Sequence, residues 1–307
     1  MRFSIALSTD RVDAPDEFVT GEAISELATA VEAAGLDAVF VTDHPAPDDR
    51  WLAGGGHHAL EPTVALAFAA AATSRLLVHT HIYVLAYRNP FLAAKSLGSL
   101  DVLCGGRCVF GIAAGYLRPE FRALGADFEA RNERTDESVR VMRRLWAGES
   151  VAGTSGGGDE VWKSKGVTQL PRPAVQPTLW FGGNSRAAIR RTVELGDGWS
   201  PFPTSPELAS AARTASIENL DDLRARIGVL DDECERTGRS NRPDVCFGAF
   251  SMRHYLADPT SPEQVIDELG TLSELGVTWG TVTFPASTRA ETLEWIERFA
   301  TDVACIS

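Results

Sequence analysis

No apolar run in this 307-residue chain approaches the roughly 18 residues a membrane-crossing helix needs, so the sequence offers nothing to span a bilayer. Positive charge is scarce. The 29 Lys and Arg against 42 Asp and Glu leave a net charge of −13. Nucleic acid or an acidic membrane as main partner would call for a cationic face, so neither is expected. An anionic small ligand would need a local positive patch set against the overall field. Cysteine is sparse as well: five residues, an odd number, and no C-x-x-C pair. Cys104 and Cys108 straddle a helix end and a strand start, a spacing read as suiting neither zinc nor a disulfide. Buried free thiols in a reducing cytoplasm are the expectation. No G-x-G-x-x-G follows the first apolar run, which counts against a doubly wound dinucleotide fold.

What is present alternates. The stretch from Arg75 to Arg118 shows the unit: the apolar run Leu76-Leu77-Val78 reads as a buried strand and turns polar at His79-Thr80-His81. Asn89-Pro90 opens a helix, since Asn caps and Pro suits the first helical position. Leu97, Leu100 and Leu103 recur at helical spacing, and Gly105-Gly106 stops the helix. Cys108 to Ile112 is the next strand, ending in Ala113-Ala114-Gly115-Tyr116. Met1 to Leu7 carries one charge and a short apolar part, so it reads as the first strand and not as a secretion signal. Ile24, Leu27, Ala28 and Val31 form a helical stripe, and Asp37 to Val41 is the second strand. A long loop is expected over residues 46–60, a helix over Pro62 to Ala72, and helical pattern over residues 117–147. After an interruption near Gly125-Ala126-Asp127, Thr135 with Ser138 and the stripe Val139, Met142, Leu145 and Trp146 mark a second helical piece. Periodicity fades over residues 148–177, where Gly153 to Gly158 reads as a flexible loop in a lid-like insertion. Further strands follow at Thr178 to Phe181, Asp197 to Phe202, Val245 to Phe250 and Val277 to Phe284, with a polar helical region over residues 205–239. Helices meeting strands at Gly35, Gly196 and Gly276 repeat one joint. The pattern predicts about eight β/α units closed as one (β/α)8 barrel across residues 1–307, with chemistry at the strand tips.

Those tips carry the candidate residues. Asp43-His44 ends the second strand, where a histidine can trade a proton with substrate while the carboxylate sets its tautomer or holds a ligand. The alternative is a capping Asp and a surface His, and the place of the pair at the end of a buried strand favours the functional reading. His79 and His81 share a face of the third strand. Metal ligation would need partners from later strands, which offer Phe181-Gly182-Gly183 and Trp199 to Phe202 instead, so no metal is expected. Gly182-Gly183-Asn184-Ser185 joins a strand to a helix whose first N–H groups could face a phosphate, with Arg186, Arg190 and Arg191 nearby. The alternative is an ordinary turn with an Asn cap. Arg131, Arg134, Asp136 and Glu137 read as a solvated, salt-bridged face that could also line a groove.

Taken in order, Asp43-His44, Arg88-Asn89-Pro90, the run Gly111 to Phe121, Gly125 to Glu137, Trp180 to Ser185 and Gly196 to Trp199 resemble the luciferase-like monooxygenase superfamily. They are most similar to the branch that uses the deazaflavin coenzyme F420. The resemblance implies a TIM barrel, a cis peptide at His81-Ile82 backing a flat ring, and His44 as the proton-handling residue. It implies that Asp43, Thr80, His81, Ile82, Ala113, Gly115 and Tyr116 surround the ring, and that Gly182, Gly183, Asn184 and Ser185 hold the phosphate. Tyr116 stands where related sugar-phosphate dehydrogenases place a glutamate. Ala113 and Ala114 replace the cysteine and phosphate-binding arginine of bacterial luciferases, a departure that favours F420 over FMN. The expected protein is a cytoplasmic homodimer that moves a hydride between F420 and a small organic substrate. An FMN-dependent monooxygenase, a non-catalytic flavin-binding protein and a metal-dependent hydrolase are the alternatives.

Overall fold

In the computed structural model, which describes residues 1–156 and 161–306, eight parallel strands surround one axis. In chain order the strands are β1 (Arg2–Ala6), β2 (Ala38–Val41), β3 (Leu77–Val84), β4 (Cys108–Ala113), the hairpin pair β5 (Val151–Thr154) and β6 (Lys163–Val167), then β7 (Thr178–Gly182), β8 (Gly198–Ser200), β9 (Asp244–Val245) and β10 (Trp279–Val282). The barrel order is β10-β1-β2-β3-β4-β7-β8-β9. Cys246 bridges Trp279, with Phe247 N donating to Trp279 O and Thr278 N to Val245 O, each at 2.9 Å, so the last edge joins the first. The result is the expected (β/α)8 barrel. Strand β2, Ala-Val-Phe-Val, is buried throughout because helices cover its outer face and side chains fill its inner one. Trp180 and Trp279 meet edge to face at 5.2 Å inside the barrel, and His79 packs on Trp180 at 4.9 Å. The interior is therefore a packed core below a single open mouth.

The outer helices follow their sequence signals. Thr20 caps the helix Gly21–Ala33, whose Ile24, Leu27, Ala28 and Val31 are all buried. The helix Pro62–Ala72 has the expected bounds. Asn89 Oδ1 accepts from Phe91 N at 3.0 Å and starts the helix Pro90–Leu103. Leu97 and Leu100 are buried there, but Leu103 is 81% exposed. Six steps of an α-helix turn a side chain about 240° beyond its starting face, and seven steps bring it back. The buried neighbour is accordingly Cys104. In the helix Arg131–Trp146 the stripe Val139, Met142, Leu145 and Trp146 is buried, and Trp146 Nε1 donates to Ala94 O of the adjacent helix.

Several segments differ from expectation. The insertion over residues 148–177 holds the antiparallel hairpin β5–β6, in which Val151 is buried and Trp162 meets Phe91 at 5.3 Å. Gly153 and Thr154 are thus strand residues, while Gly157 and Gly158 lie outside the described residues. Strands this short leave too few alternations to stand out beside glycine. The loop over residues 46–60 contains a helical turn, Asp49–Ala53, capped by Asp48. The polar region over residues 205–239 is two helices, Pro206–Ala212 and Leu220–Thr237, separated where Thr204 and Ile217 pair. Cys104, Cys108, Cys234 and Cys246 are buried, whereas Cys305 is exposed. Among the described residues no helix is long and apolar enough to cross a membrane.

Candidate functional site

The strand tips at the open mouth surround one cavity of about 410 Å³. Its volume lies within the range of small-molecule sites, roughly 300–1,000 Å³. Asp43, His44, His81, Ile82 and Ala113 line it, as do Gly115, Tyr116, Gly182, Gly183 and Ser185.

At the end of β2, Asp43 and His44 part company. Consecutive residues of an extended chain point to opposite sides, so one carboxylate and the next imidazole meet different partners. Arg88 Nη1 and Nη2 donate to Asp43 Oδ2 and Oδ1 at 2.6 and 2.9 Å, and Val84 N donates to Oδ2 at 2.8 Å. Burial pushes the Asp43 carboxyl up, and Arg88 with the Val84 amide pulls it back. Asp43 therefore ties β2 to the chain after β3 and does not set the tautomer of His44. That position belongs to Glu120. Its Oε2 lies 3.5 Å from His44 Nδ1, and its Oε1 accepts from Ala46 N at 3.0 Å. Glu120 is only 2% exposed. His44 Nδ1 is buried beside it without a hydrogen-bond partner, and the imidazole lines the cavity. Trp51 and His57, from the loop after β2, cover the imidazole at ring distances of 4.4 and 5.0 Å.

The wall of the cavity is β3. The His81-Ile82 peptide is cis, and both residues face the opening. Gly182 is glycine for a nearby reason: a Cβ there would overlap Ile82 Cδ1. Thr80 lies behind this wall, fully buried, with its hydroxyl donating to Gly111 O at 3.0 Å, so it does not line the cavity. His81 Nδ1 is 3.4 Å from Ser200 Oγ. Burial lowers the His81 imidazole to about 4, and burial with the neighbouring ring lowers His79 well below its ordinary value. Both are neutral at physiological pH. Since the unfolded chain takes up protons at these positions first, their stabilising contribution is complete above about pH 6.5 and is lost as pH falls toward the folded value. Stability of wild type should therefore fall more steeply than that of His81→Gln between pH 6.5 and about 4, by up to about 1.4 kcal/mol per pH unit. Urea unfolding at stepped pH checks this, and parallel profiles would overturn it.

The third wall is cationic. Gly183 at φ 109° turns the chain from β7 into the helix Arg186–Leu195, where Ser185 Oγ accepts from Ala188 N at 3.2 Å. Asn184 is not in the lining. It is 0% exposed, its amide donates to Phe202 O and Ala215 O and accepts from Phe202 N, so it fixes the loop behind the turn. Of the three arginines expected here, Arg186 and Arg190 are exposed, and Arg191 alone lines the cavity, paired with Asp136. Arg131 and Arg213 join it. Arg131, Arg118 and Arg213 gather over the Phe128 ring at 4.0, 4.3 and 5.4 Å. Glu129 pairs with Arg118 and Arg213, while the one acceptor for Arg131 among the described residues is Phe128 O at 2.8 Å. Burial, and then Arg213, push the Arg131 guanidinium below its ordinary value.

Most of the residues around this barrel mouth, from Thr42 to Thr214, fall within a segment that matches a family model. Residues 1–240 match the model described as luciferase-like monooxygenase. The chain belongs to the luciferase-like monooxygenase family. Its relatives make it an oxidoreductase. It is 28% identical over 266 residues to an F420-dependent glucose-6-phosphate dehydrogenase of Nakamurella multipartita, covering 80% of this chain and 75% of that one. It is 30% identical over 205 residues to an FMNH(2)-dependent dimethylsulfone monooxygenase of Pseudomonas fluorescens, covering 66% of this chain but only 51% of that protein. The structure of an F420-dependent secondary alcohol dehydrogenase in complex with an F420-acetone adduct superposes with a TM-score of 0.72 at 17% identity, over 100% of this chain and 99% of that one.

Within this luciferase-like site, sequence reasoning missed Glu120, the lining by Arg213 and the covering by Trp51. Arg131 it read as a solvated face that could also line a groove, and Arg131 lines the cavity. Glu120 lay inside the stretch that carried the resemblance, but nothing in the spacing said that it would face His44.

Proposed function

We propose that this luciferase-like oxidoreductase transfers a hydride between the deazaflavin coenzyme F420 and a small organic substrate. The observation that carries the reading is a single cavity with His44 at one wall and Arg131, Arg191 and Arg213 beside the Gly183–Ser185 turn. In a chain of net charge −13, arginines gathered at a cavity wall fit an anion, and the phosphate of either family coenzyme is one. A bound coenzyme would supply a flat ring that accepts or delivers a hydride. The chain does the rest. Arg131, Arg213 and the turn would hold the phosphate, and His81-Ile82 with Ala113 would orient the ring. His44 Nε2 would give or take the substrate proton, while Glu120 keeps Nδ1 fixed. Trp51 and His57 shield that proton from water. Ala113 and Ala114 bring no charge to the tip of β4, and the Nakamurella relative is named for F420; both support the deazaflavin. A cytoplasmic homodimer is the accompanying expectation.

Fluorescence titration of the purified apo-protein with F420 and with FMN is the test. Tighter binding of F420 supports the assignment. Preference for FMN would replace it with the reduced-flavin monooxygenase reading, which the Pseudomonas relative supports. In the same titration Arg131→Met should weaken coenzyme binding about 10- to 100-fold, the loss of one charge-assisted contact worth about 1.5–3 kcal/mol. Unchanged affinity would remove Arg131 from the anion site.

A further inference from the structure

A second cluster lies at the closed end of the barrel. Asp101 is in the last turn of the helix Pro90–Leu103, Cys104 caps that helix and Cys108 opens β4. Their exposures are 3%, 5% and 4%. One ligand atom from each lies within 4.8 Å of the others, and the two sulfurs are 3.3 Å apart. The spacing that argued against zinc or a disulfide is thus overcome by the turn. Gly105 and Gly106 adopt φ 71° and 83°, a left-handed pair that side-chain-bearing residues resist, and this folds Cys108 back on Cys104.

The charges in the cluster are unbalanced. Asp101 is a buried carboxylate that the amide and thiol of Cys108 face, with no cation paired to it among the described residues. Arg107 is adjacent but spends its guanidinium on Cys104 O, Leu76 O, Ala70 O and both oxygens of Thr73.

We propose that Asp101, Cys104 and Cys108 form a structural site for a divalent, thiophilic cation, zinc in the first instance. Carboxylate and thiolate are both zinc ligands, and a three-residue spacer falls within the usual range for a first cysteine pair. With a Zn–S bond of about 2.3 Å, tetrahedral sulfurs stand about 3.8 Å apart, so the thiols need only spread slightly. Binding forms two Zn–S bonds and one Zn–O bond and releases two thiol protons; a water completes the shell. Two thiolates, one carboxylate, Zn²⁺ and the neighbouring Arg107 sum to zero charge. Cys108 and Ala113 are the opposite ends of β4, about 17 Å apart at strand rise, so the ion would brace the helix-to-strand joint far from the cavity.

Cobalt(II) titration of the full chain under reducing conditions is the experiment. One equivalent should give thiolate-to-cobalt charge-transfer and intense tetrahedral bands, and zinc should bleach them. Asp101→Asn, which keeps the side chain's volume, should retain the bands while weakening affinity at least about tenfold. The double variant Cys104→Ala/Cys108→Ala should lose the bands, and Cys234→Ser should keep them. Zinc should also raise the melting temperature of wild type, reversibly with chelator. No cobalt uptake, bands that persist in the double variant, or a Cys104–Cys108 disulfide formed in place of uptake would each overturn the proposal.

Discussion

Replacing His44 with glutamine should lower turnover about 10²- to 10⁴-fold, the usual contribution of a positioned acid or base, while coenzyme affinity stays unchanged. The separation follows from geometry. His44 is on β2 beside Trp51 and His57, whereas the arginines that would hold the anion come from the helix Arg131–Trp146, the helix Arg186–Leu195 and the loop at Arg213. A loss of binding equal to the loss of turnover would mean that the imidazole holds the ring and does not serve the proton. Glu120 acts through His44, so Glu120→Gln should shift the pH profile of turnover, which a purely structural carboxyl would leave in place. Stopped-flow monitoring of the coenzyme's absorbance at saturation gives both readouts. Turnover of His44→Gln equal to wild type would remove His44 from the chemistry.

The second large effect is on stability. Arg88→Met should destabilise the fold by about 3–5 kcal/mol, because it leaves the Asp43 carboxylate buried without its cation. Asp43 is 4% exposed, and three of its hydrogen bonds, two from Arg88 and one from Val84 N, fix the β2 tip against the chain after β3. The double variant Asp43→Asn/Arg88→Met should lose less than the two single losses added together, since it removes the stranded charge as well. Urea unfolding of the three variants measures this. A single-variant loss below about 1 kcal/mol would show the pair to be as weak as a surface bridge.

The sequence made the scaffold legible wherever a signal was local. Asn89-Pro90, the Ile24 stripe and the fully apolar β2 each carry their reason within a few residues. Leu103 failed because a six-residue step is not a helical repeat, although it resembles one when Leu97 and Leu100 precede it. At the site, the glycine turn at residues 182–183 and His44 could be found because strand tips are where barrels keep their chemistry. The partners of those residues were not legible. Asp43 and His44 are adjacent in sequence yet face different neighbours, and Glu120 reaches His44 from 76 residues along the chain. The resemblance placed Thr80 beside the ring and Asn184 at the phosphate, and the structure puts both behind the lining, held by backbone groups. Cys104 and Cys108 show the same limit at close range: only the backbone angles of two glycines decide whether the three intervening residues hold two thiols apart or bring them together.

The strands of this barrel are unequal. β3 and β4 run eight and six residues, while β8 and β9 run three and two, and the circle is finished by one bridging pair. Like a cask with two short staves, the barrel is expected to loosen first where its strands are shortest. Amide hydrogen exchange should then be faster at β8 and β9 than at β3 and β4, which carry the wall on which a ring would rest.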